Sequence, residues 1–201
     1  MIMKKNILPH LTLIATMLIF LGIGSVKAAI LDIVPNNQSV LLGDTVNIDL
    51  NISGLGNFSA DSLGAFDLDI NFDPSILSFN NAVFGNQLDI FDLGSITGTT
   101  PGAGSVNLFE LSLDPSSALD TMQAGSFTLV TLAFDTLATG SSILSMSKIF
   151  LSDAPGNPLL IDSVNNGSVI VTSQTTVPEP GILWLFCVSL FMLPWWKRSG
   201  D

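Results

Sequence analysis

The residues that could do chemistry in this chain are almost all carboxylates. Asp67 and Asp69 stand at i and i+2 in the run Phe66-Asp67-Leu68-Asp69-Ile70, roughly 7 Å apart at strand rise. Two carboxylates can hydrolyse a glycoside, but paired Asp residues also arise wherever a soluble strand alternates acidic and apolar positions. The other catalytic side chains lie at the ends or are missing. His10 falls near the N-terminus, Cys187 near the C-terminus, and there is no Tyr. Between the ends no Ser-His-Asp or Cys-His arrangement can be assembled, and no His or Cys transition-metal site. No catalytic residue is assigned, and the chain is read as not an enzyme. Hard oxygen ligands remain for Ca²⁺. Asp89 and Asp92 near Gly85-Asn86, and Asp153 and Asp162 around Asn157, are weak candidates, and none of them forms an EF-hand loop.

Both ends read as address rather than chemistry. Residues 1–28 open with Lys4 and Lys5, continue through an apolar run from Ile7 to Gly24, and reach Ser25-Val26-Lys27-Ala28. Basic, apolar and small in that order describe a secretory signal peptide cleaved after Ala28, with Val26 and Ala28 at the positions read by signal peptidase. Residues 182–196 are uncharged and end in Trp195-Trp196, and residues 197–201 begin with Lys197-Arg198. The stretch is short against the roughly 17 to 25 residues that span a bilayer. Its Trp pair suits the headgroup level, and the adjoining Lys and Arg hold that end on the cytoplasmic side. The expectation is a transmembrane segment before processing, with everything between the two ends exported. Residues 174–181 form a linker in which Val177-Pro178-Glu179-Pro180 presents a stiff, extended peptide just outside the bilayer.

That order of Pro-Glu-Pro, short apolar segment and basic end resembles the PEP-CTERM sorting signal of Gram-negative bacteria. The resemblance implies cleavage near the motif by an exosortase. It further implies an inner-membrane-anchored intermediate, delivered to the cell surface or extracellular matrix.

The middle, residues 29–173, has the size of one domain. Of the 17 acidic residues only Glu179 and Asp201 lie in the tail, and of the six basic residues only Lys148 lies in the middle. Its side chains therefore carry about −14, which keeps an exported protein soluble and repels nucleic acid and anionic lipid. With Cys187 in the tail, no disulfide can staple it, and the core must hold the fold.

The hydrophobic pattern is all-β. Val46, Ile48, Leu50 and Ile52 alternate with polar residues, as do Phe66, Leu68, Ile70 and Phe72. Period two places one face inside and one in water, so Asp67 and Asp69 are expected on a wet face. Further strands are expected at 30–34, 39–42, 76–79, 106–113, 127–134, 143–151 and 168–172, with turns at Asp73-Pro74-Ser75, Thr99–Gly104, Pro155–Pro158 and Asn165-Asn166-Gly167. About nine short strands call for a two-sheet β-sandwich or jelly roll.

Gly43-Asp44-Thr45-Val46-Asn47-Ile48, then Gly64 to Leu77 with its Phe72-Asp73-Pro74-Ser75 turn, resembles a cohesin domain. Gly125 with Leu129–Phe134 and the closing Asn166–Val171 follow in the same order. The resemblance implies a nine-stranded jelly roll whose flat sheet face binds another protein, the dockerin in cellulosomes. No dockerin-like repeat or catalytic module is present, so only a general binding or adhesion role carries over. A glycan-binding module of an exopolysaccharide matrix is the alternative, and a carboxylate glycosidase the third reading. Glycan sites usually stack sugar rings on exposed Trp or Tyr, but Trp184, Trp195 and Trp196 are all in the tail. Phe66, Phe72, Phe79 and Phe134 are assigned to the core, and Phe58, Phe84, Phe91 and Phe109 are left open.

Overall fold

The computed structural model describes residues 28–173. The expected signal peptide, sorting motif (Val177 to Pro180), membrane segment and basic end (Trp195, Trp196, Lys197, Arg198) lie outside these residues, apart from Ala28. Among the described residues no helix is long and apolar enough to cross a membrane.

Eleven strands and one short helix follow in order: β1 (Ala29–Val34), β2 (Asn37–Leu41), β3 (Thr45–Ser53), β4 (Leu63–Asn71), β5 (Leu77–Phe84), β6 (Ser95–Gly102), β7 (Ser105–Ser112), α1 (Ser116–Met122), β8 (Phe127–Thr136), β9 (Gly140–Asp153), β10 (Ile161–Asn165) and β11 (Gly167–Thr172). They form a five-stranded sheet in the order β10-β1-β3-β8-β5 and a six-stranded sheet in the order β2-β11-β9-β4-β7-β6. The expected two-sheet sandwich is present.

The period-two residues do what their spacing requires. Leu31 and Ile33 of β1, Val46 to Ile52 of β3, and Leu132 and Phe134 of β8 meet Phe66, Leu68 and Ile70 of β4, Val106 and Leu108 of β7, and Val169 and Val171 of β11 in one continuous core. Phe134 is fully buried and takes Phe72 and Phe79 edge-on, with ring centroids 5.1 and 6.0 Å away. Phe72 and Phe79 are half-buried at the rim of this core rather than deep inside it, and Phe84, left open above, also packs against it.

Two strands beyond the expected nine appear, and each has a physical reason. Strand β6 covers most of the Thr99–Gly104 stretch expected to turn. It lies at the sheet edge, where the missing N–H of Pro101 breaks no inner ladder. The actual turn is shorter, at Ala103-Gly104, where Gly104 has φ +80° and an added Cβ would sit 3.0 Å from Pro74 Cδ. Strand β10 is five residues, mostly exposed, and exists because it pairs in parallel with β1. Strand β5 continues past Phe79 through an irregularity at Phe79/Asn81 that breaks its alternation.

A polar latch ties α1 to the sandwich. Gln123, fully buried just after α1, accepts the Leu63 N–H at 2.6 Å and donates to the carbonyls of Leu63 and Gln87, both at 2.9 Å.

Candidate binding face

The two outer faces of the sandwich differ in chemistry. On the five-stranded sheet the outward polar side chains largely satisfy one another, with Val83 of β5, 60% exposed, the large apolar exception. Thr45 and Asn80 donate to the two oxygens of Asp135, each at 2.8 Å. Thr131 donates to Asp49 at 2.6 Å and Thr128 to Asn51 at 2.7 Å. Cross-strand polar pairs of this kind make a closed, hydrated surface.

The six-stranded sheet is different. Its register places Asp67 of β4 opposite Phe109 of β7 on one side and Phe150 of β9 on the other. In the next row Ala65 lies beside Leu111, which faces Ile96 of β6. Phe150 is 52% exposed and Ile96 51% exposed, and Ile143 of β9 is 68% exposed. Phe109 lies beside Gly98 of β6, whose missing side chain leaves the ring a flat seat. Beyond this sheet end, Phe91, Leu93, Pro115 and Ala118 line an open groove of about 400 Å³ against α1. Asp114 holds one wall by accepting the N–H groups of Ile90 and Phe91 at 2.7 and 3.2 Å.

Asp69 departs from the expected wet position. The residue faces outward but is buried, with its side chain 9% exposed beneath Lys148, whose own side chain is 80% exposed. The Lys148 Nζ lies 2.6 Å from Asp69 Oδ2. Lys148 reaches this position from a kink in β9, where it adopts φ +48° and the β4–β9 register slips. Asn107 of β7 bridges the two carboxylates, donating to Asp67 Oδ1 at 2.7 Å and to Asp69 Oδ1 at 2.9 Å. The bond from Lys148, then that from Asn107, hold the Asp69 carboxyl below its ordinary pKa against the opposing effect of burial. The pair at i and i+2 is thus a cross-braced structural element, with the only basic side chain among the described residues committed to one of its members.

Glu110 is the other buried acid. It follows Val106 and Leu108 on the inward face of β7, where sequence periodicity alone would place an apolar residue. Burial raises its pKa, the Ser95 hydroxyl donating at 2.7 Å partly offsets this, and nearby Asp89 adds to the rise. A carboxyl with a raised folded pKa is favoured below its unfolded value, about 4.3, and loses that advantage as pH climbs through the folded value. Glu110→Gln keeps the Ser95 bond and removes the ionisation. It is expected to raise the melting temperature at pH 7 and to leave a smaller gain on acidification to pH 5 than the parent shows, as read by thermal unfolding at the two pH values.

Two of the four calcium candidates brace local turns. Asp89 accepts the Gly94 N–H at 2.8 Å, and Asp153 accepts the N–H and side-chain amide of Asn157 at 2.6 and 2.9 Å. Asp92 and Asp162 are exposed. Among the described residues no group of three or more His, Cys, Asp or Glu is placed to hold a metal.

Strand alternation puts Asp67 and Asp69 on one outer face, whereas Lys148, Phe150 and Ile96 join that face only through cross-strand register. The available signal was apolar residues at both parities, as in Val106-Asn107-Leu108-Phe109-Glu110-Leu111. A strand with one wet polar face has no use for Phe109.

No protein-family model matches the chain, and no curated protein does. Solved structures do match. A type I cohesin–dockerin complex from Clostridium thermocellum aligns with 13% identity and a TM-score of 0.60 over 74% of this chain and 96% of that one. The solution structure of the CaCohA2 protein from Clostridium acetobutylicum gives 21% identity and a TM-score of 0.57 over 73% and 92%. A non-cellulosomal cohesin from the archaeon Archaeoglobus fulgidus gives 17% and 0.54 over 74% and 92%. At such identities the likeness is one of architecture, and residues 28–173 of this chain have the cohesin fold.

Proposed function

We propose that this chain is an exported, non-enzymatic surface or extracellular-matrix protein that binds another protein through the outer face of its six-stranded sheet. The observation that carries the reading is the contrast between the two outer faces. One ties up its acidic side chains in its own Thr–Asp and Asn–Asp bonds, and the other exposes Ile96, Leu111 and Phe150, with Phe109 half-buried among them, around the braced Asp67. Aromatic and aliphatic anchors beside a fixed charge are what a protein interface needs at its centre. The cohesin–dockerin complex among the similar structures supports protein binding on this fold. Signal peptidase and exosortase are the processing partners in this reading, and nucleic acid is not one. Support for sorting comes from the order of Val177–Pro180, apolar segment and Lys197-Arg198.

The test is capture of a partner from the extracellular matrix by the immobilised protein, followed by binding measured with the purified partner. Phe150→Asp is expected to weaken binding about 30-fold or more, the loss of a 2 kcal/mol anchor. Asp49→Asn, on the opposite face, is expected to leave it unchanged. Equal loss from both variants, or from neither, would remove the face assignment. An exported protein whose C-terminal mass still includes Asp201 would remove the sorting part.

A further inference from the structure

The chain passes between the sheets twice at one place. It leaves β1 for β2 through Val34–Asn36 and leaves β10 for β11 at Asn166, and both strand pairs are parallel, with Asp32 opposite Asn165 and Asn37 opposite Ser168. Between the two crossovers opens a cleft of about 590 Å³, lined among others by Asp32, Val34, Pro35, Asn36, Asn165 and Asn166. Its size lies within the range of small-ligand sites. It lies at the β10–β1 and β2–β11 side of the sandwich, away from the Phe109–Phe150 row.

The walls carry one carboxylate and three carboxamides. Asn165 Nδ2 donates to Asp32 Oδ1 at 2.6 Å, which fixes both planes, and Asn166 Oδ1 accepts the Met146 N–H at 3.3 Å. The second oxygen of Asp32 and the Asn165 carbonyl remain as acceptors, and the Asn166 amide remains as a donor. A hydroxyl both donates and accepts, so a polyol satisfies such a mixed set. Val34, 40% exposed, and Pro35 supply an apolar surface for the C–H face of a ring.

Charge then narrows the ligand. The only basic side chain among the described residues, Lys148, is bound to Asp69 on the outer face of the six-stranded sheet. Among the described residues the cleft offers no cation to neutralise a uronate, sulfate or phosphate, and the field of an acidic domain repels all three. A single carboxylate is also too few for a hard cation. We propose that this crossover cleft binds a neutral carbohydrate through Asp32, Asn36, Asn165 and Asn166, independently of the protein-binding face.

The full chain, ¹⁵N-labelled and kept in a detergent without a sugar headgroup, is titrated with neutral hexaoses of glucose, mannose and galactose, and with hexagalacturonate. At least one neutral hexaose is expected to shift the side-chain amide signals of Asn36, Asn165 and Asn166 saturably. The double variant Asn36→Ala, Asn165→Ala, both at exposed positions, is expected to weaken that binding about tenfold or more, while Phe150→Asp leaves it unaltered. Hexagalacturonate is expected to produce no saturable shift. The proposal is overturned if none of the three neutral hexaoses moves these signals at millimolar concentration, if the double variant binds as the parent does, or if hexagalacturonate binds equally well. None of these results bears on partner binding by the sheet face.

Discussion

Phe134→Ala is expected to remove about 3–5 kcal/mol of stability, the usual loss for a fully buried Phe. Phe134 sits on β8, which lies between β3 and β5, opposite Val46 on one side and Phe79 on the other. Truncation leaves Phe72 and Phe79 facing a void, because β5 holds the backbone of Phe79 in register and the Gly104 carbonyl holds the N–H of Phe72 at 2.9 Å. A domain of this size has about 5–15 kcal/mol in total, and no Cys lies among the described residues to supply a disulfide. The variant should therefore unfold at a much lower urea concentration with an unchanged m-value. A loss below about 1 kcal/mol would contradict the placement of Phe134 at the centre of the core.

The second large effect is expected at Gln123. Gln123→Leu preserves much of the volume but leaves the Leu63 N–H and carbonyl, both buried, and the part-buried Gln87 carbonyl without their partner. A buried polar group left unpaired costs about 1–3 kcal/mol, and here three backbone groups share one side chain. The loss should be about 2 kcal/mol or more, and it should be local first. Leu63 begins β4, and Gln123 also accepts the Phe58 N–H through its own carbonyl. Native-state hydrogen exchange is expected to show faster exchange at the Leu63 and Phe58 amides, with the amides in the middle of β3 and β8 following only the global change. Uniform acceleration across all strands would contradict a local latch.

Both effects concern residues whose environment was legible to different degrees. Phe134 ends the run Leu129-Val130-Thr131-Leu132-Ala133-Phe134, and alternation alone assigned it to the core. Gln123 gave no signal, because a single Gln after a seven-residue helix looks like any surface position until the strand it bonds is brought alongside. Asp69 lies between these cases. Its outward face was readable, but its burial was not, since that depends on Lys148 in β9 and Asn107 in β7.

The amino-acid sequence by itself determined an acidic, disulfide-free, all-β middle, and it located nine of the eleven strands among the described residues. These are properties of composition and of period two, which a strand carries within its own residues. Tertiary structure decided the rest. It set which outer face is knit by cross-strand polar pairs and which exposes Ile96, Leu111 and Phe150. It also made edge strands of Ser95–Gly102 and Ile161–Asn165, and placed Asp32 and Asn36 next to Asn165 and Asn166. The physical reason is that alternation separates inside from outside within one strand, whereas cross-strand register chooses neighbours. Asn107 reaches Asp67 across 40 positions of chain and Asn165 reaches Asp32 across 133, distances over which no local pattern carries information.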